Sequence, residues 1–447
     1  MDIRDQVTTS TALLTDQYEL TMLAAALADG SAARTCAFEV FARRLPRGRR
    51  YGVVAGTGRL LEALRHFRFG EPELAVVAGF LDERTLNWLR EYRFTGDIDG
   101  YPEGELYFPG SPILSVRGSF AECVVLETLI LSIFNHDSAI ASAAARMVSA
   151  ADGRRMIEMG SRRTHEAAAP AASRAAYLAG FDATSNLEAV RRYGVPGAGT
   201  SAHAFTLLHS GRDGAHEAEA FRSQVAALGV GTTLLVDTFD ITEGVATAIR
   251  VAGPELGGVR IDSGDLGVLA RQVREQLDAL GATKTRIVVS GDLDEYAIAA
   301  LRAEPVDVYG VGTSLVTGSG APTAGMVYKL VEVEGVPVVK RSSHKESRGG
   351  AKRALRLTKS SGTIVEEVVY PATAEPPATD GFEARQLLVP LVRGGAVVDD
   401  LPTLTDARDR VARGLVSLPW EGLKLSDGEP ATAPVCWRRL ISIVTRG

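Results

Sequence analysis

Residues 258–315 read GVRIDSGDLGVLARQVREQLDALGATKTRIVVSGDLDEYAIAALRAEPVDVYGVGTSL. Three times in this stretch a short apolar run stops in a loop of Gly, Asp, Ser or Thr. The runs are Val259–Ile261, Ile287–Val289 and Val306–Val308, each of strand length and rich in β-branched side chains. Between the first two, Leu266, Leu269, Val273, Leu277 and Leu280 recur at three- and four-residue spacing and stop at Gly281, which predicts an amphipathic helix. Strand, polar loop, helix, strand is the order of a parallel α/β sheet or barrel, whose chemistry gathers in loops at the strands' C-terminal ends.

The alternation extends upstream through MIEMG (156–160), an alanine-rich helical stretch, VPGAGT (195–200) and TTLLVDTF (232–239). The expected fold class is therefore α/β, an irregular (β/α) TIM-like barrel over residues 119–330. A discontinuous mixed α/β domain is expected beside it, residues 1–118 completed by 331–370, with 371–447 as a C-terminal β/α extension. Residues 12–29 read as a helix closed by Gly30. Ser119 and Glu122 form a capping-box signature for a long helix running towards Gly153. Past Met326, VYKLVEV-EG-VPVVKRS and RALRLT-KSSG-TIVEEVVY read as hairpins, PATAEPP as a linker and 404–415 as a short helix.

With 447 residues, 45% of them hydrophobic and 23% charged, the chain can bury a sizeable core in two or three domains. A net charge of −6 supplies no basic field for nucleic acid. Local clusters at Arg43–Arg50 and Lys340–Arg356 suit a small anion or a solvated face equally. The three cysteines (Cys36, Cys123, Cys436) form no CxxC pair, so neither a disulfide framework nor a zinc site is expected, and Cys123 reads as a buried small hydrophobe. MDIRDQVTTS has no signal-peptide core, and the apolar run Val124–Phe134 is broken by Glu127 and short of a membrane span. The expectation is a cytoplasmic protein with neither nucleic acid nor membrane as partner.

The candidate site residues lie mostly in the strand-end loops. Asp262 and Asp265 flank Ser263-Gly264, with Arg260 just before them. Paired carboxylates there suit Mg²⁺ or sugar hydroxyls, and arginine offers a planar fork to phosphate or carboxylate. Ser263 or Asp265 could equally cap the next helix. Gly291 and Asp292 repeat the pattern, while Gly310, Gly312 and Thr313 suit close backbone approach to a phosphate. His203 stands where a loop carrying Thr200 and Ser201 turns into a helix. Imidazole there can attack a phosphoryl group, a reading that weighs evenly with a structural histidine. Arg162 follows a strand end and can meet an anion; Arg163 reads as a surface residue and His165 has no assignment. Asp16 and Tyr18 lie on a helix whose Leu13, Leu14, Leu20, Met22 and Leu23 explain simple packing, so on residues alone Tyr18 reads as core.

In order, LLTDQYELTM, FEVFARRLP, FPGSPILSVRG, MGSRRTHE, FDATSNL, GTSAHAF, RIDSGDL, SGDLDEY, YGVGTSLVTG and VYKLVEV…VKRSSHKES resemble the nicotinate phosphoribosyltransferase family, nearest its actinobacterial form. The resemblance runs from residue 12 to about residue 357. It implies conversion of nicotinate and phosphoribosyl diphosphate to nicotinate mononucleotide and diphosphate, coupled to ATP hydrolysis, in a Mg²⁺-dependent homodimer with shared active sites. It implies that His203 is transiently phosphorylated by ATP and that Tyr18, with Asp16, stacks on the pyridine ring from the neighbouring subunit. Arg162 and Arg260 would lie near the base and phosphates, with Thr184, Ser185 and Thr200 among the substrate-binding residues. Asp262 and Asp292, with Gly291, would lie around the ribose and the diphosphate–Mg²⁺ region. Gly312 and Thr313 would hold the 5′-phosphate. At Thr184-Ser185-Asn186 the nicotinamide-using relatives carry an acid; its absence here favours nicotinate, whose own carboxylate an acid would repel.

Two other readings stand beside this one. LLVDTFDITEG (234–244) faintly resembles the diphosphate loop of doubly wound phosphoribosyltransferases, but Asp237 and Asp240 are not adjacent as that loop requires. A non-catalytic NAD-precursor binding protein on the same fold would bind ligand without releasing diphosphate; the presence of His203, Asp262 and Asp292 argues against it.

Overall fold

The computed structural model describes residues 10–211, 216–340, 349–379 and 381–432. The chain divides into two compact units, one drawn from residues 1–139 and 323–447, the other from 140–322. Cys436 and residues 341–348 of the Lys340–Arg356 cluster lie outside the described residues.

The first unit is built on a seven-stranded sheet in the order 336–337, 326–333, 35–42, 114–119, 97–100, 389–393, 396–397. Its neighbouring strands pair antiparallel. Phe38 stacks on Tyr328 across the pair 35–42 and 326–333, with centroids 4.8 Å apart. Two buried ion pairs tie a second, three-stranded sheet into this unit, Arg356 to Glu105 (3.1 Å) and Lys352 to Glu39 (2.7 Å), and within that sheet Arg356 also pairs with Glu367 (2.7 Å). Charges so deep are held only in pairs, because an uncompensated one costs several kcal/mol.

The expected domain limits at 118/119 and 330/331 both fall inside this unit. Leu126, Leu129, Ile130 and Phe134 pack into its core, and Met326–Val333 pairs with Thr35–Ala42. Residues beyond 371 are woven in rather than appended: Val389–Arg393 pairs with Asp97–Gly100, and Glu383–Gln386 with Lys352–Thr358. The Ser119–Glu122 capping box forms, but the helix it starts ends at Val124 and a second runs Glu127–Ala151. Taken together, Phe120–Ala151 is long and apolar enough to cross a membrane, a length the run Val124–Phe134 alone does not reach. Yet 67% of its most apolar window is buried inside the fold, as in a core helix. Cys36 and Cys123 are both buried free thiols.

The second unit holds six parallel strands, here β1 (Arg155–Glu158), β2 (Ala183–Thr184), β3 (Thr233–Leu235), β4 (Gly258–Ile261), β5 (Arg286–Gly291) and β6 (Val308–Val311). They lie in the order β2-β1-β6-β5-β4-β3, a barrel wall left open between β2 and β3. Val259, Ile261, Ile287, Val289 and Val311 are fully buried, as strands covered on both faces require. The sixth strand starts two residues later than the apolar run Val306–Val308 predicts and takes in Tyr309, Gly310 and Val311. Gly310 pairs with Ser290 and Ile157 inside the strand, and a Cβ there would lie 2.8 Å from the Met159 sulfur. Three loop aspartates cap the helices that follow them: Asp240 accepts from Glu243 N, Asp265 from Val268 N, and Asp294 from Tyr296 and Ala297 N. Asp265, not Ser263, is thus the cap after β4.

Candidate active site

The C-terminal ends of β1, β4, β5 and β6 open onto a cavity of about 700 Å³. Arg162, Arg260, Asp262, Gly291, Asp292, Gly312 and Thr313 line it, with Arg163 beside Arg162. Arg163 is exposed, as its sequence context suggested, and it also borders the cavity. Neither Arg162 nor Arg163 forms an ion pair among the described residues, so both present free positive charge to the cavity.

The strand pleat sets the centre of the site. Val259 and Ile261 point into the core, so Arg260 between them takes the opposite face. Its Nε donates to Ser290 Oγ (2.7 Å), its Nη2 to Asp262 Oδ1 (2.7 Å) and its Nη1 to the Ser201 carbonyl (3.5 Å). The Ser290 hydroxyl donates to the same Asp262 oxygen. Burial works to raise the Asp262 pKa, but the hydrogen bonds from Ser290 and Arg260 outweigh it and hold the carboxyl below its ordinary value. Gly291, at φ +131°, passes close to the Asp262 carbonyl, where a side chain would crowd it.

His203 opens the short helix His203–Leu208. Its Nδ1 lies 3.1 Å from Thr238 Oγ1, and its Nε2 lies 3.9 Å from both Asp237 Oδ1 and Asp262 Oδ2. Asp237 is the residue that sequence reasoning weighed only for the rival diphosphate loop and did not place in this site. Its Oδ2 accepts from Asp262 N (2.8 Å) and Ser263 Oγ (2.9 Å), fixing the loop after β4, while its Oδ1 is buried with no hydrogen-bond partner among the described residues. The signal was present, since TTLLVDTF is another apolar run ending in an acid. Glu217 carried no such signal. Burial, then the nearby Asp237 and Asp240 carboxylates, push its pKa up to about 7.

Other expected residues sit elsewhere. Thr184 is buried and its hydroxyl donates to Glu158, which also accepts from Ser173 Oγ and Gly160 N. Its side chain supports a buried acid instead of facing a ligand. Ser185 and Thr200 are exposed, and neither lines the cavity. Asp16 and Tyr18 belong to the first unit. Asp16 is exposed at the N-cap of Gln17–Asp29, and Tyr18 is 45% exposed, not core. Burial and the Glu127 carboxylate raise the Tyr18 phenol to about 12, so it stays protonated.

Residues 13–135 match the nicotinate phosphoribosyltransferase (NAPRTase) N-terminal domain, and residues 140–319 match the quinolinate phosphoribosyl transferase C-terminal domain. Nicotinate phosphoribosyltransferase pncB1 of Mycobacterium tuberculosis is 71% identical over 422 residues, 94% of each chain. The chain belongs to the nicotinate phosphoribosyltransferase family. The human nicotinate phosphoribosyltransferase is 32% identical over 479 residues, 89% of each chain. A crystal structure of human nicotinic acid phosphoribosyltransferase superposes with a TM-score of 0.78 at 29% identity, covering 94% of this chain and 97% of that one.

Family membership raises the question of Mg²⁺. Among the described residues no group of three or more His, Cys, Asp or Glu side chains is placed to hold a metal ion. The site still fits one shared with a substrate: Asp262 Oδ2 accepts no hydrogen bond among the described residues, and Asp292 is exposed at the cavity. Mg²⁺ is commonly held by one or two carboxylates together with substrate phosphates.

Proposed function

We propose that this chain transfers the phosphoribosyl group of phosphoribosyl diphosphate to nicotinate, giving nicotinate mononucleotide and diphosphate, with ATP hydrolysis coupled through His203. The observation that carries the reading is the meeting, at one set of strand ends, of free arginines, the Arg260–Asp262–Ser290 cluster and a histidine flanked by two carboxylates. The nearly full-length similarity to curated nicotinate phosphoribosyltransferases supports it.

In this reading the pyridine nitrogen uses its lone pair to form the bond to ribose C1. The C1–O bond to diphosphate breaks, and its electron pair leaves with the diphosphate. The nitrogen carries no proton, so no general base is required. Arg162, Arg163 and Arg260 orient the anionic groups and offset the charge building on the leaving group, a contribution of position and electrostatics. Gly291 lets the chain pass close to the ribose region, and Gly312 and Thr313 hold the 5′-phosphate. Asp262 and Asp292 would hold Mg²⁺ with the diphosphate oxygens, and the bound ion would supply further charge neutralisation. His203 accepts the γ-phosphoryl group of ATP with departure of ADP, and water later cleaves the P–N bond to release phosphate. Ser185 and Thr200 border these steps from exposed loops, and Thr184 acts through Glu158. Asp16 and Tyr18 are supplied by a second copy of the chain in a homodimer. The substrates are small water-soluble anions, which supports a cytoplasmic location.

The test is diphosphate release with nicotinate or nicotinamide, each with and without ATP. Release with nicotinate, stimulated by ATP, is the expected result. Binding without release would favour the non-catalytic alternative, and preference for nicotinamide would overturn the assignment of the base.

A further inference from the structure

A cavity of about 320 Å³ belongs wholly to the first unit and shares no residue with the strand-end site. It lies where the end of the helix Thr57–Arg65 and the segment after it face Phe94 and the hairpin of Val389–Arg393 and Ala396–Val397. Its lining divides by chemistry. Leu64, Phe94, Val392 and Val397 are apolar, whereas Arg65 and Arg68 bring two guanidinium groups.

No carboxylate lines this cavity, and neither arginine has an ion-pair partner among the described residues. The acids of the adjoining strand are engaged elsewhere: Asp99 pairs with Arg393, and Asp97 accepts from Gly394 N. Arg68 is partly buried, its Nη1 donating only to the Phe67 carbonyl (2.8 Å). Burial, and after it the charge of Arg93, lowers its pKa. Two guanidinium groups beside partly apolar surface, with no acid among the described lining residues, form a site that an incoming anion would relieve.

The hairpin side is rigidly built. Gly395, at φ +79°, donates its N–H to the Gly96 carbonyl (2.8 Å), and a Cβ on it would lie 2.1 Å from the Phe94 carbonyl oxygen. Only glycine permits that approach, so the backbone itself holds Phe94 against the turn.

We propose that this cavity binds a small organic anion, a phosphate or carboxylate carried on a flat apolar body, with Arg65 and Arg68 holding the charge and Phe94 and Val397 the body. The volume is at the small end of ligand pockets and suits a single-ring ligand.

Calorimetric titration of the full chain with phenyl phosphate, and separately with inorganic phosphate, tests the assignment. Two variants are compared with the wild type. Arg65→Gln/Arg68→Gln keeps the side-chain stems and removes the charge; Ala396→Trp fills the cavity from an exposed position. Phenyl phosphate also meets the cationic strand-end cavity, so the signal of interest is the binding component that the variants lose while nicotinate-dependent diphosphate release is retained. The expected result is at least tenfold weaker binding of that component in both variants, and tighter binding of phenyl phosphate than of inorganic phosphate. Identical isotherms in wild type and variants would overturn the proposal, as would equal affinity for the two probes. The variants act separately, one by charge and one by volume, so failure of either to fold leaves the other to decide.

Discussion

His203 Nε2 lies 3.9 Å from Asp237 Oδ1, a buried oxygen with no hydrogen-bond partner among the described residues. A buried acceptor left open is costly, and an imidazole carrying its proton on Nε2 and moving slightly closer would satisfy it. Asp237→Asn keeps an acceptor for Asp262 N and Ser263 Oγ but removes the charge facing His203. The variant is expected to incorporate phosphate from labelled ATP about 10- to 100-fold more slowly, the usual cost of losing a group that orients a functional histidine. Diphosphate release in the absence of ATP should change little. Equal losses in both assays would mean that Asp237 serves only to hold the loop after β4.

Arg260 near the end of β4 and Asp262 just past it share Ser290 of β5. Arg260→Lys keeps the charge and loses the fork that reaches both partners. One charge-assisted hydrogen bond contributes about 1.5–3 kcal/mol, so the KM for phosphoribosyl diphosphate should rise roughly tenfold or more. The Asp262 carboxyl should also lose part of its downward shift. The stability it contributes is present above its unfolded pKa and is lost as pH falls through the lowered folded value. In the variant that loss is smaller and is complete at a higher pH, which acid titration of the folded state would register.

What was legible in the chain was local. Asp262, Asp292, Gly312 and Thr313 follow apolar runs and could be placed at strand ends without knowing which strands are neighbours. What was not legible depended on partners distant in sequence. Gly310 reads as a loop glycine until Met159, just past β1, is packed against it. Thr184 reads as a ligand-facing hydroxyl until Glu158, one strand over, claims it. Tyr18 reads as core by helical spacing, yet its ring is half exposed, while its helix buries Glu19, which is hydrogen-bonded to Thr15 and Thr128. In each case a polar partner or a close contact overrides the residue's ordinary preference.

Glu217 should leave a signature in the pH dependence of stability. Its folded pKa of about 7 lies above the ordinary carboxylate value, so the folded state binds the extra proton. That contribution is fully present below the unfolded pKa and is lost as pH rises through about 7. Glu217→Gln cannot ionise, so its melting temperature should exceed that of the wild type at pH 8 and approach it near pH 5. Thermal melts across that range check the sign, and parallel curves for the two proteins would exclude the shift.

Tyr18 separates the use of a ring from the use of a hydroxyl. Its ring is 45% exposed, while its phenol is held protonated by burial and by the carboxylate of Glu127. If the exposed ring stacks on the pyridine, Tyr18→Phe should leave the KM for nicotinate within a few-fold of wild type. Tyr18→Ala should raise it, since an aromatic stacking contact contributes about 0.5–1.5 kcal/mol beyond the area it buries. The KM for ATP should be unmoved in both. A rise in Tyr18→Phe equal to that in Tyr18→Ala would instead assign the role to the hydroxyl. The relevant geometry would then be its placement by Glu127 and Thr128.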